Sequence, residues 1–140
     1  MKTKILSLYK YWIYADKMKL LFRKELKNKK EEILYEPKSE IEAKLKFELQ
    51  LTSELGIFKS FWYSSLYTVI EGYKDLKLSI PEIDQLINEE YISTLRLFRN
   101  NVYHYQKNTL NPKQLGVDQS DGFVEWIYQI HHKLGDHIMK

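Results

Sequence analysis

The sequence predicts an all-α protein: an up-and-down helical bundle of four main helices plus a short helix, forming one domain over residues 1–140. Three observations predict it. Apolar residues return at helical spacing along most of the chain, and no segment shows the strict alternation of a strand. The chain is rich in Leu, Lys and Glu but holds only five Gly and three Pro, so few residues interrupt a helix. Two Ser-x-x-Glu boxes, Ser39 with Glu42 and Ser79 with Glu82, stand where helices should begin.

The first helix is expected from about residue 3 to about residue 30. Ile5, Leu8, Trp12, Ala15, Met18, Leu21 and Leu26 mark its apolar stripe. The run KNKKEEILYEPKSE then breaks the pattern, because Pro37 disfavours helical backbone at Glu36. The Ser39 box restarts a helix that carries Ile41, Leu45 and Leu49, then Leu51, Leu55, Phe58, Trp62, Leu66 and Val69. It is expected to reach about Tyr73, either as one long helix or as two halves hinged near Gly56, since glycine costs about 1 kcal/mol against alanine inside a helix. Its stretch FKSFWYSSLY is apolar nearly all round and is expected to be the most buried part of the chain, or a subunit contact. Gly72 to Pro81 reads as a connector, with Pro81 in the first turn of a short helix holding Ile83, Leu86 and Ile87. A further helix from about Glu89 to about Gln106 presents Ile92, Leu95, Phe98, Val102 and Tyr105. Asn108, Asn111, Pro112 and Gly116 mark a loop. The last helix begins after Ser120 or Asp121 and uses Phe123, Ile127, Ile130, Leu134 and Ile138.

Composition excludes several chemistries. Apolar residues make up 44% of the 140 residues and charged residues 29%, an ordinary globular mixture. There is no cysteine, so a disulfide framework, thiolate zinc sites and a cysteine nucleophile are all excluded. No Gly-rich phosphate loop, zinc motif or nucleophile elbow occurs. No apolar run approaches a membrane span, so no membrane partner is expected. The opening MKTKILSLYKYWIYADK fails as a signal peptide, since Lys10 and Asp16 interrupt its apolar part. A cytoplasmic location is the expectation.

Charge is unevenly spread. Residues 1–30 hold ten Lys and Arg against two acids, residues 31–90 six against thirteen, and residues 91–140 six against four. A basic first segment can hold a polyanion. On charge alone the plainer reading is a solvated face whose lysines pair with acids of the next helix.

The chemistry concentrates in LFRNNVYHYQ, residues 97–106. Asn100 and His104 are an i, i+4 pair on one helix face, and Arg99 adjoins its edge. Leu95, Phe98 and Val102 point elsewhere, so the three polar groups form a compact patch near a helix end. Arginine offers a fork of donors matched to phosphate. Histidine moves protons near neutral pH. Asparagine orients the imidazole or holds a ribose hydroxyl. These parts suit RNA cleavage by internal transesterification, with no metal and no cofactor. One patch supplies one histidine, and a two-fold dimer would double the set. Taken alone, the same three residues read first as an exposed structural cluster, with Arg99 paired to an acid such as Glu90 or Glu125.

RNNVYH, Arg99 to His104, resembles the R-N-x-x-x-H motif of the HEPN superfamily, the helical domains of higher eukaryote and prokaryote nucleotide-binding proteins. The order of helices around it is similar as well. The resemblance implies a homodimeric bundle with the motif in a cleft between protomers. It implies a metal-independent endoribonuclease serving as a toxin, a phage-defence factor or an RNA-processing enzyme. Arg99 and His104 would be its catalytic pair and Asn100 the polar residue beside them. RNA is the implied partner, guided by Lys107 and by first-helix lysines such as Lys10 and Lys17; an antitoxin protein is the implied partner of the toxin members. Members paired with a nucleotidyltransferase antitoxin often carry a tyrosine two residues after the histidine. Here Gln106 stands there and Tyr105 comes one residue early. Two other functions fit the same residues: a non-catalytic RNA- or nucleotide-binding module, and a helical dimerisation or interaction protein.

Other clusters carry less. His131, His132 and His137 crowd the last helix, and His132 with Asp136 has a spacing that metal ligands use, but a solvated face is the plainer expectation. Glu31 and Glu32 resemble paired carboxylates yet fall at a charged helix end. Trp12, Trp62 and Trp126 all lie near apolar stripes and are expected in the core or at an interface.

Overall fold

A computed structural model describes residues 2–28, 38–42, 53–103 and 120–138. These form α1 (Lys2–Asn28), α2 (Glu54–Asp75), α3 (Pro81–Asp84), α4 (Glu89–Tyr103) and α5 (Asp121–Ile138). No strand occurs among the described residues, and the fold is an all-α bundle. No described helix is long and apolar enough to cross a membrane.

Local capping sets most helix starts. Ser39 accepts from the Glu42 amide at 3.1 Å, and the Glu42 carboxylate reaches back to the Lys38 amide at 2.8 Å. The expected box is therefore built, with its return bond one residue earlier than the usual pattern. Residues 40–42 are helical, and residues 43–52 lie outside the described residues. Close to the expected break at Gly56, a helix starts after Ser53. The Ser53 hydroxyl caps α2 by accepting from the Gly56 amide at 3.2 Å. Gly56 thus sits in a first turn, where its lack of a side chain costs little. Asn88 caps α4 through the Tyr91 amide at 3.1 Å, and Ser120 caps α5 through the Phe123 amide at 3.3 Å.

The second expected box is not made. The residue preceding α3 is Ile80, which leaves Ser79 one position too early to cap, although Pro81 does occupy the first turn. The Tyr73 hydroxyl does the work from α2. It accepts from the Ile80 amide at 2.9 Å and donates to the Asp84 carboxylate at 2.6 Å. Desolvation and the Asp84 carboxylate both push the Tyr73 phenol above its ordinary value, so it remains a donor.

α2 ends in a Schellman turn: the Leu78 amide bonds the Tyr73 carbonyl at 3.3 Å and the Lys77 amide bonds that of Lys74 at 3.0 Å. Lys77 holds φ 55°, a left-handed backbone in a non-glycine residue. Such a conformation costs an L-residue about 1 kcal/mol. Lys77→Gly is therefore expected to raise stability by about 0.5–1 kcal/mol in urea unfolding, and a decrease would contradict this account of the turn.

α2 is the central helix. It packs against α1 and α4, while α5 packs on α1 and α3. As expected, the FKSFWYSSLY stretch is deeply embedded: Ser60, Trp62, Tyr63, Ser64, Leu66 and Tyr67 are all buried. Phe61 departs from this and stays exposed. On α1, Leu8 and Ala15 reach the core as expected, but Leu21 points outward and Phe22 takes its place, its ring 5.5 Å from that of Trp62. The reason is angular. Leu8, Ala15 and Phe22 repeat every seven residues along nearly the same line, whereas Leu21 falls about 100° away.

Candidate functional site

Arg99 and Asn100 lie on the last turns of α4, both half-buried. α4 runs against α2, and the Arg99 guanidinium carbon stands 4.8 Å from the centre of the Tyr67 ring. Its Nη1 is 3.3 Å from the Glu71 carboxylate, and its Nη2 donates to the Asn100 side-chain oxygen at 3.2 Å. The Nε is buried and makes no hydrogen bond among the described residues. The acid is thus Glu71 on α2 rather than Glu90 or Glu125. The arginine stem packs on an aromatic face, while 31% of its side-chain surface still meets solvent.

Arg99 and Asn100, neighbours in the chain, are bonded side chain to side chain. His104 and Lys107 lie outside the described residues. Lys10 and Lys17 are exposed on α1.

Two features of this face escaped the sequence reading. Arg96, one turn before Arg99, lines a recess of about 180 Å³ between α2 and α4, together with Tyr67, Glu71, Lys74, Glu89 and Ser93. Tyr103, one turn after Arg99, is 59% exposed and meets the exposed Phe61 edge to face, with ring centres 6.2 Å apart. The i, i+3 and i, i+4 spacings from Arg99 carry the signal for both. Together they make a strip of cations and open aromatic rings, the combination that holds phosphates and stacks bases in single-stranded nucleic acid. Within the recess Lys74 is taken by Glu89 at 2.6 Å.

The histidines of α5 divide sharply. His132 and Asp136 are exposed, as the plainer expectation has it, and His137 lies 3.3 Å from the Glu82 carboxylate. His131 is wholly buried. The Trp62 indole N–H donates to its Nδ1 at 3.1 Å, and its Nε2 is 3.0 Å from the Asp16 carboxylate. An indole nitrogen can only donate, so Nδ1 is the acceptor and the proton sits on Nε2, facing Asp16. Desolvation outweighs the Asp16 carboxylate and lowers the His131 pKa to about 4, leaving it neutral. Burial alone would raise the Asp16 carboxyl, but the His131 hydrogen bond and the Lys19 ammonium at 3.4 Å hold it below its ordinary value. The Trp12 indole closes the group by donating to the His131 carbonyl at 2.9 Å.

This group is a buried polar lock between α1, α2 and α5. Its signal in the sequence was position: His131 lies four residues after Ile127 and three before Leu134, on the apolar stripe. Asp16 and Lys19 each follow a core residue of α1, Trp12 and Ala15, by one turn. On α1, Lys19 pairs with Asp16 within its own helix. No group of three or more His, Asp or Glu side chains among the described residues is placed to hold a metal ion.

Comparison of the chain with models of known families, with characterised proteins and with solved structures finds no match.

Proposed function

We propose that the protein is a metal-independent endoribonuclease of HEPN type, acting as a homodimer on single-stranded RNA. The observation that carries this reading is RNNVYH itself, with Arg99 and Asn100 adjacent near the end of a bundle helix and the guanidinium tips reaching solvent. Exposed Tyr103 and Phe61 beside Arg99 support a single-stranded substrate, because their open ring faces can stack bases. In the proposed reaction the ribose 2′-oxygen attacks the adjacent phosphorus and the bond to the 5′-oxygen breaks. A 2′,3′-cyclic phosphate and a 5′-hydroxyl result. His104 takes the 2′-hydroxyl proton or gives one to the leaving oxygen, and its dimer mate performs the other transfer. Arg99 stabilises the charge growing on the phosphate, and Asn100 keeps the guanidinium in place through its side-chain oxygen. Roles as a toxin, a phage-defence factor or an RNA-processing enzyme, with or without an antitoxin partner, belong to the same proposal.

Glu71 is compatible with this reading. A single 3.3 Å contact from a half-exposed carboxylate is an ordinary surface ion pair, contributing about 0–1 kcal/mol, so a phosphate can take its place.

A second reading, a non-catalytic RNA-binding module, is favoured by one observation. The solvent-reaching Arg99 tips, exposed Arg96 and the exposed Tyr103 ring suffice to hold a phosphate and stack a base without any histidine.

Labelled single-stranded RNA incubated with the full chain in EDTA separates the two. Cleavage is expected, with a loss of about 100-fold or more in both Arg99→Ala and His104→Ala. Glu71→Gln should bind RNA at least as tightly as the unaltered protein. Binding without cleavage, weakened by Arg99→Ala and by salt but indifferent to His104→Ala, would establish the second reading instead.

A further inference from the structure

The outward face of α1 has an unusual composition. Leu6 (65% exposed), Tyr14 (54%), Leu20 (51%), Leu21 (40%) and Tyr9 (36%) all stand in solvent on this helix. They account for half of the exposed large hydrophobic residues described in the chain. Between them run Lys10, Lys17 and Lys24, all exposed. Their seven-residue spacing sets the three lysines in one row at intervals of about 10 Å, with the Lys10 ammonium resting 4.6 Å from the centre of the Tyr11 ring. Of the two acids of α1, Asp16 turns inward to His131 and Lys19, and half-buried Glu25 borders the face one turn after Leu21. The opposite side of α1 is fixed by buried Leu8 and Ala15, by Phe22 on Trp62 and by the Asp16–His131 bond. A rigid helix therefore presents an outward surface that is apolar and cationic at once.

We propose that this face docks the protein onto an anionic lipid bilayer, with α1 lying in the plane of the membrane surface and no segment crossing it. The charge pattern selects among occupants. A second copy of the chain, packed face to face through a two-fold axis, would set lysine against lysine. RNA would satisfy the lysines but leave the three leucines without a partner, since aliphatic side chains gain little from phosphodiesters. An anionic bilayer satisfies every group. The leucines enter the boundary of the acyl chains, Tyr9 and Tyr14 sit at the depth of the headgroups, and the lysines meet anionic headgroups. This inference does not rest on the ribonuclease reading, because the face is built without Arg99.

The test is flotation of the full chain with vesicles of phosphatidylcholine alone or with 30% phosphatidylserine, at low and high salt. The expected result is binding at least tenfold stronger to the anionic vesicles, weakened by salt. The triple variant Lys10→Glu/Lys17→Glu/Lys24→Glu and the double variant Leu6→Ser/Leu20→Ser should each reduce that binding at least tenfold while circular dichroism remains that of the helical bundle. No binding to anionic vesicles at low salt overturns the proposal. So does binding that survives the leucine variant, which would mark a merely basic surface. RNA binding lost in the lysine variant, with no vesicle binding, would assign the face to nucleic acid instead.

Discussion

His131→Ala is expected to destabilise the protein by about 3–5 kcal/mol, the range for removing one member of a buried polar group. The substitution leaves the buried Trp62 N–H without an acceptor and leaves Asp16 only Lys19 as a partner, while opening a cavity between α1, α2 and α5. Urea unfolding measures it, and a loss under about 1 kcal/mol would refute the lock. Acid gives an independent reading of the same residue. Folded His131 titrates at about 4, whereas an unfolded histidine takes its proton near 6.5. The unfolded chain therefore binds more protons between those values. The stability is complete above pH 6.5 and is lost as pH falls toward 4, by about 3 kcal/mol at about 1.4 kcal/mol per unit. Asp16, held below its ordinary value, adds a second loss as pH falls through the carboxylate range. In His131→Gln the slope between pH 6.5 and 4 should flatten by roughly one proton. An unchanged slope would place the titration elsewhere.

Gly135→Ala is expected to cost about 1–3 kcal/mol in a helix interior where alanine ordinarily gains about 1 kcal/mol. Gly135 is buried against α1, and a methyl group there would overlap the Trp12 indole, with Cε2 at 2.7 Å and Cζ2 nearer still. Trp12 cannot swing aside cheaply, because its N–H is bound to the His131 carbonyl and its ring lies 5.2 Å from the imidazole. The double-mutant cycle decides the cause. In a Trp12→Ala background the clash is gone, so Gly135→Ala should change sign and stabilise. If it stays destabilising there, the close approach of α5 to α1 is not what requires glycine.

The sequence by itself determined the helices and the motif. Apolar spacing and the serine and asparagine caps are local, so α1, α4 and α5 start close to where the pattern put them. Local rules failed where a distant group intervened. Tyr73 replaced Ser79 at the start of α3. Only the tertiary structure decided what the polar residues face. Residues 16, 62 and 131 are far apart along the chain, and no periodicity relates them. A buried His131 becomes tolerable only because an indole and a carboxylate converge on its two nitrogens. Likewise Arg99 meets Glu71 and Tyr67 because α2 lies alongside α4. Helix formation depends on neighbours in sequence, whereas the charge, proton and partner of a side chain are set by whatever packing brings to it.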